Sequence, residues 1–290
     1  SSDLLDAGKK LIKVTDDGIG MSEDDIKLSL ERHSTSKISS IDDLFNIKTL
    51  GFRGEALPSI NSVSKMKIEK NPSGAGLSIE VKDLFYNVPA RLKFLKSNYT
   101  EIGHIQDLIT RFILGNPEIS FKLLIDNKEI FFSPGNGKLF DAVFSVYGID
   151  LAKELIEISS ENIKGYISSP VLSRVDRGFE TFFVNGRVVH NFLLSRALED
   201  AYKNLIPQQR YPVAVIFLNL PPSEIDVNVH PSKKEIKFLK TKEVMDLLRN
   251  EAKTVLLKYG EGFKNENGGA STSEYFSKTE NLITDDFLPD

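Results

Sequence analysis

Residues 11–14 (LIKV) read as a short apolar strand that runs straight into Asp16-Asp17-Gly18-Ile19-Gly20. A helix is expected next: Ser22 stands at its N-cap, acids fill the first turn, and Ile26 and Leu30 lie four apart. A buried strand that hands the chain through a glycine loop into a helix needs a layered α/β architecture to cover it. The rest of the chain repeats that alternation in two blocks. In the first, a strand is expected at 77–81 (LSIEV), a long helix at 101–114, and a hairpin made of FKLLI (121–125), the turn DNK and the strand EIFF. In the second, strands are expected at GYISS, TFFVN, VAVIFLNL and EIKFL, with helices at LLSRALEDAYKNL and VMDLLRNEAKTVLL. The fold class predicted is therefore α/β, as two successive α+β sandwiches. Ser133-Pro134-Gly135-Asn136-Gly137 is the strongest breaker between them. The expected division is residues 1–132, residues 138–259, and a linker at 260–290.

The linker expectation rests on composition. Residues 260–290 are rich in Asn, Ser, Thr, Gly and acids and carry a net charge of −5, so the rest of the chain carries only +1. Such a segment cannot bury enough apolar area to offset its ordering entropy. The bulk charge neither draws the chain to nucleic acid nor repels it. The absence of Cys excludes disulfides, thiolate metal sites and a cysteine nucleophile, and the four His (His33, His104, His190, His230) have no local metal-ligand spacing. No apolar run approaches the roughly 18 residues of a membrane helix, and no signal-peptide pattern opens the chain. A soluble cytoplasmic protein without a membrane partner is expected.

Several segments can carry chemistry. Asp16, at a strand end, can accept a hydrogen bond from an exocyclic amine such as that of adenine, while Gly18 and Gly20 let backbone approach a planar ligand. A tight Asp-Gly turn is the alternative. Gly51-Phe52-Arg53-Gly54-Glu55-Ala56-Leu57 is a glycine loop feeding a helical run, suited to a phosphate or simply to starting a helix. Thr35-Ser36-Lys37 suits a polyphosphate or solvent. Lys233 ends the polar run Asp226-Val227-Asn228-Val229-His230-Pro231-Ser232, and Arg187 leaves the turn Asn185-Gly186. Residues 85–96 (FYNVPARLKFLK) mix aromatics with bases, and their apolar positions are expected to pack a helix rather than stack nucleobases.

In order and spacing, DDGIGM, RHSTSK, LGFRGEAL, DLFYNVPARLKFL, FVNGR and DVNVHPSKKE resemble the N-terminal region of MutL-type DNA mismatch repair proteins, to about Tyr259. DLFYNVPAR and DVNVHPSK separate this family from gyrase B-type topoisomerases, large heat-shock chaperones and histidine kinases. The resemblance implies a GHKL (Bergerat) ATP-binding domain followed by a small-ribosomal-protein-like α/β domain. It implies that Asp16 holds the adenine amino group beside Gly18 and Gly20. Thr35, Ser36, Lys37, Gly51, Phe52, Arg53, Gly54, Ala56 and Leu57 then belong to the lid and phosphate region. Lys233 is implied to reach the γ-phosphate from the second domain, and Arg187 to contact DNA. The implied activity is slow hydrolysis of Mg-ATP (cofactors ATP and Mg²⁺) that switches an N-terminal dimer. The implied partners are DNA, a MutS-type mismatch sensor and a second copy of the chain; in a bacterium the location is nucleoid-associated.

Two departures bear on that activity. The family's helix before DDGIGM carries ExxxN, whose Glu activates water and whose Asn binds Mg²⁺. Here Leu5-Asp6-Ala7-Gly8 matches only the end of that helix, Asp3 stands at the Asn position, and no Glu precedes it. The stretch between Lys70 and Leu77 is short, and the family's Gly-Thr reads Gly76-Leu77. Both places read as joins that lack a segment, which predicts Cα–Cα separations well beyond the roughly 3.8 Å of bonded neighbours. Taken literally, the sequence lacks a general base, and the alternative function is a catalytically inactive nucleotide- or DNA-binding scaffold.

Overall fold

The computed structural model describes residues 1–31, 54–226 and 236–266. They fall into two compact units, the first drawn from the described residues of 1–110 and 119–135, the second from those of 111–118 and 136 onward. The first unit is built on a six-stranded sheet. Its elements in chain order are β1 (Ser2–Leu5), β2 (Leu11–Thr15), α1 (Glu23–Ser29), α2 (Ala56–Asn61), β3 (Lys65–Lys70), β4 (Leu77–Lys82), α3 (Pro89–Phe94), α4 (Asn98–Gly115), β5 (Ser120–Ile125) and β6 (Lys128–Pro134). The sheet order is β3-β4-β2-β1-β5-β6, and every neighbouring pair is antiparallel except β1 and β5. Ile102, Ile105 and Ile109 recur at helical spacing on α4 and pack on buried Leu4, Leu123 and Ile125.

Ser22 caps α1 as expected. Its hydroxyl accepts the Asp25 N–H at 3.1 Å, and the Asp25 side chain returns the bond to the Ser22 backbone. The Asp126-Asn127 turn between β5 and β6 takes positive φ at both residues, the twist that closes a two-residue hairpin.

Both expected joins are continuous hydrogen-bonded turns, which corrects the prediction of chain breaks. At the first, the Gly8 and Lys10 N–H groups donate to the Leu5 carbonyl at 3.1 and 3.3 Å. At the second, the Asn71 N–H donates to the Gly76 carbonyl at 3.1 Å. Leu5-Asp6-Ala7-Gly8 does not end a helix either, because the residues leading into it, 2–5, are extended. They form β1, paired with β2 on one side and β5 on the other, because a strand here satisfies backbone groups on both edges.

The 85–96 string departs from expectation as well. It yields only the six-residue α3, started by Pro89, and leaves Phe94 83% and Leu92 43% exposed. Fewer than two turns give those side chains no continuous face to bury.

The second unit adds α5 (Leu139–Lys153, interrupted at Gly148), β7 (Leu155–Ser159), β8 (Ile163–Ser168), β9 (Ser173–Arg174), β10 (Glu180–Val184), β11 (Arg187–Val189) and α6 (Phe192–Ala201). It continues with β12 (Tyr211–Pro212), β13 (Ala214–Leu218), β14 (Ile225–Asp226), β15 (Lys237–Phe238) and α7 (Thr241–Glu266). Its main sheet runs β11-β10-β13-β8-β7. Alternation along the strands serves two cores. Phe182, Val184, Ala214, Ile216 and Leu218 face α6 and α7, whereas Phe183 and Val215 face Leu114 and Val143. The helices answer with i, i+4 stripes, Leu194–Leu198 on α6 and Val244–Leu248–Ala252–Leu256 on α7. Among the described residues, the EIKFL segment contributes the two-residue β15, which pairs with β14. α7 runs to Glu266, past the point where the sequence placed the start of the linker. Among the described residues no helix is long and apolar enough to cross a membrane.

Two outcomes follow from this packing. Leu248→Ala removes a fully buried side chain. It should destabilise the chain by about 2–5 kcal/mol in urea or thermal unfolding. Glu180 is the second case. Its carboxyl is mostly buried. Burial pushes its pKa up to about 7; the Ser195 hydroxyl opposes the shift, Glu199 adds to it, and Arg177 opposes it. The folded chain therefore keeps this proton over a range in which the unfolded chain has lost it, so stability falls as pH rises from about 4.5 to about 7. Glu180→Gln should be more stable than the parent at pH 8, by about 1–3 kcal/mol, with the difference vanishing near pH 4.

Candidate functional site

β2 ends at Thr15, and its outer neighbour β4 begins at Leu77, so the loop after β2 and the turn before β4 meet at one end of the sheet. The ladder continues one step beyond the strands: the Asp16 N–H donates to the Leu77 carbonyl at 2.9 Å. Beside it, the Thr15 and Ser78 hydroxyls lie 3.3 Å apart. Asp16 then bends the loop on itself, its Oδ1 accepting the Gly18 N–H at 2.9 Å. One carboxylate oxygen is thus used to shape the loop. The side chain itself is exposed, with its other oxygen available to an external donor.

The glycines here have steric reasons. Gly76 has φ +90°, and a Cβ on it would lie 2.1 Å from the Asp16 carbonyl oxygen and 2.8 Å from Oδ1. Gly20 has φ +70°, and its Cβ position is 3.3 Å from the Gly76 carbonyl oxygen. The turn that carries Gly76 is tied down by Asn71, whose Nδ2 donates to the Asp16 carbonyl at 2.8 Å. The structure thus brings Asp16, Gly18 and Gly20 together with Gly76, which stands at the family's Gly-Thr, and with Asn71, to which the sequence assigned no part in the site. The turn composition Asn71-Pro72-Ser73-Gly74 was the available signal.

Gly54 takes positive φ just before α2, and Ala56 and Leu57 are the first residues of that helix. The far end of α2 is held by the loop after β4, where Asn87 Nδ2 donates to the Ser62 carbonyl at 2.9 Å. Thr35, Ser36, Lys37, Gly51, Phe52, Arg53 and Lys233 lie outside the described residues. Asp3, at the place where the family has a metal-binding Asn, sits on β1 opposite Lys13. Among the described residues no group of three or more His, Asp or Glu side chains could hold a metal ion.

Arg187 belongs to the second unit. Asn185 and Gly186 both take positive φ and turn β10 into β11, which Arg187 opens opposite Val184. Asn185 braces this turn through both ends of its amide, accepting the Leu220 N–H at 2.9 Å and donating to the Leu220 carbonyl at 2.8 Å. Arg187 is half-buried at the exit of this braced hairpin. His190, just beyond β11, contacts Arg111.

Comparison with known proteins agrees with this architecture. Residues 143–257 match the family described as DNA mismatch repair protein, C-terminal domain. The DNA mismatch repair protein MutL of Streptococcus uberis is 43% identical over 273 residues, 85% of this chain and 41% of that protein. MutL of Symbiobacterium thermophilum is 41% identical over 276 residues, 86% of this chain and 44% of that protein. The chain thus spans about two fifths of the length of these relatives. Among solved structures, the N-terminal domain of a DNA repair protein superposes with a TM-score of 0.72 at 23% identity, covering 90% of each chain. The Aquifex aeolicus MutL ATPase domain complexed with ADP matches with a TM-score of 0.55 at 25% identity, covering 76% of this chain and 83% of that one. In sequence the chain is similar to MutL-type DNA mismatch repair proteins, and it has the α/β fold of their ATPase domains.

Proposed function

We propose that this chain is the ATP-binding module of a mismatch repair protein, with Asp16 as the acceptor for the adenine amino group. The observation that carries this reading is the Asp16 loop. An exposed carboxylate with one oxygen committed to Gly18 stands at a strand end, where glycines keep Cβ atoms out of the approach. The residues present fit a purine base. Gly54, Ala56 and Leu57, with Thr35, Ser36, Lys37, Gly51, Phe52 and Arg53, are assigned to the phosphates, and Lys233 to the γ-phosphate. Mg²⁺ would enter with the phosphates, since no protein cluster among the described residues holds a metal alone. Bound ATP supplies the phosphoanhydride whose γ-phosphate distinguishes the two states of a switch. This chain's part is to orient the base and to answer the presence of the third phosphate.

In this reading ATP binding favours pairing with a second copy, a MutS-type sensor is the upstream partner, and Arg187 contacts DNA phosphate from its hairpin. In a bacterium the module works in the cytoplasm, at the nucleoid. Slow hydrolysis requires a general base supplied by a Glu-bearing helix. A second reading is favoured by one observation: residues 2–5 form a strand, so no helix there presents a base. In that reading the chain is a nucleotide-binding scaffold without turnover.

Isothermal titration with ATP and phosphate-release kinetics on one preparation separate the readings. Asp16→Ala should weaken ATP binding at least about tenfold, as expected when a desolvated amine loses its charged acceptor. Unchanged affinity contradicts the assignment. Binding with measurable phosphate release supports the hydrolase, and binding without it supports the scaffold. Arg187→Glu should weaken duplex DNA binding at low salt and flatten its salt dependence, leaving ATP affinity unchanged.

A further inference from the structure

The turn between β3 and β4 pins the peptide group that follows Asp16. Asn71 closes this turn through its own backbone and through Oδ1. Its N–H donates to the Gly76 carbonyl at 3.1 Å, its carbonyl accepts the Gly74 N–H at 3.0 Å, and Oδ1 accepts the Ser73 N–H at 3.0 Å. That leaves Nδ2, which donates to the Asp16 carbonyl at 2.8 Å. The preceding peptide group is fixed as well, because the Asp16 N–H donates to the Leu77 carbonyl at 2.9 Å. Both peptide groups around the Asp16 Cα are therefore held by the same turn, and between them they set the backbone angles from which the carboxylate projects. Gly76 completes the clamp, since any Cβ there would displace the Asp16 carbonyl.

We propose that Asn71 is a positioning residue for Asp16, and that through this bond it sets the preference for a purine with a 6-amino group over one with a 6-oxo group. The inference rests on the nucleotide-binding reading above. A carboxylate discriminates between these bases only when its acceptor oxygen is aimed at position 6: the amine donates to it, and the oxo group repels it. A loop that pivots at the Asp16 carbonyl lets the carboxylate swing away from either base, so the penalty for the wrong base shrinks together with the gain for the right one.

The test is equilibrium binding of ATP and of GTP to the parent chain, Asn71→Ala, Asn71→Asp and Asp16→Ala, with thermal unfolding of each. Asn71→Asp keeps the Oδ1 acceptor that closes the turn and replaces the donor to Asp16 with an anionic oxygen that repels the Asp16 carbonyl. Both Asn71 variants should bind ATP about 3–10-fold more weakly, as expected for loss of one hydrogen bond. GTP affinity should stay level or rise, so the ATP/GTP ratio narrows while the unfolding transition of Asn71→Asp stays cooperative. A ratio equal to the parent's overturns the role of Asn71, whether neither affinity changes or both fall together as general loosening would cause. If Asp16→Ala abolishes the ATP preference while the Asn71 variants keep it, only the Asn71 role falls. If Asp16→Ala itself keeps the parent's ATP affinity and preference, the nucleotide reading of Asp16 falls, and the Asn71 inference with it.

Discussion

The carbonyl of Asp16 accepts the Asn71 amide at 2.8 Å, and a Cβ on Gly76 would lie only 2.1 Å from the same oxygen. This backbone approach is possible because β2 and β4 are register neighbours, Thr15 opposite Ser78, so the loop leaving one strand meets the turn entering the other. The rest of the first unit's sheet holds those two strand ends in place. β1 pairs with β2 and β5, and α4 covers their apolar face through Ile102, Ile105 and Ile109. An exposed polar loop thus acquires a fixed geometry from a buried framework, as a site that must recognise a small planar ligand requires.

The second unit solves a different problem with the same alternation of strand faces. Phe182 and Phe183 are adjacent in sequence, yet they enter different cores on opposite faces of the sheet. Phe183 stacks on Phe217 of the neighbouring strand with ring centroids 4.4 Å apart. Against these apolar faces, the mostly buried carboxyl of Glu180 is a polar exception. The hairpin carrying Arg187 is held to this sheet by the Asn185 amide, so the arginine emerges from a stiff support.

The strands with a clear period of two and the helices with a clear stripe were legible in the sequence. β2, β4, the β5–β6 hairpin, α4, α6 and α7 emerge from their apolar spacing, and the α1 cap from Ser22 and Asp25. β3 was missed: Met66 and Ile68 alternate with charges, but its many lysines masked the pattern. α5 was harder: Gly148 interrupts it, and its apolar residues do not fall on one clean face. β1 was misread because LLDAG fits both a helix end and a strand with its turn. Only the partners on either side, β2 and β5, decide between them, and pairing with β5 is a contact across more than a hundred residues. At the candidate site, Asp16, Gly18 and Gly20 were legible as a motif. The contacts of Asn71 and Gly76 with Asp16 were not, because they reach more than fifty residues away in sequence.

The claim that joins fold to function is that the Asp16 loop and the β3–β4 turn receive the base of a nucleotide. Titrating ATP into isotopically labelled chain and following backbone amide resonances tests it most directly. The account predicts that the largest saturable shifts fall on the amides of Gly18, Gly20 and Gly76, with the Asn71 side-chain amide moving alongside them. Saturable binding that leaves these four resonances in place and perturbs other residues would contradict it.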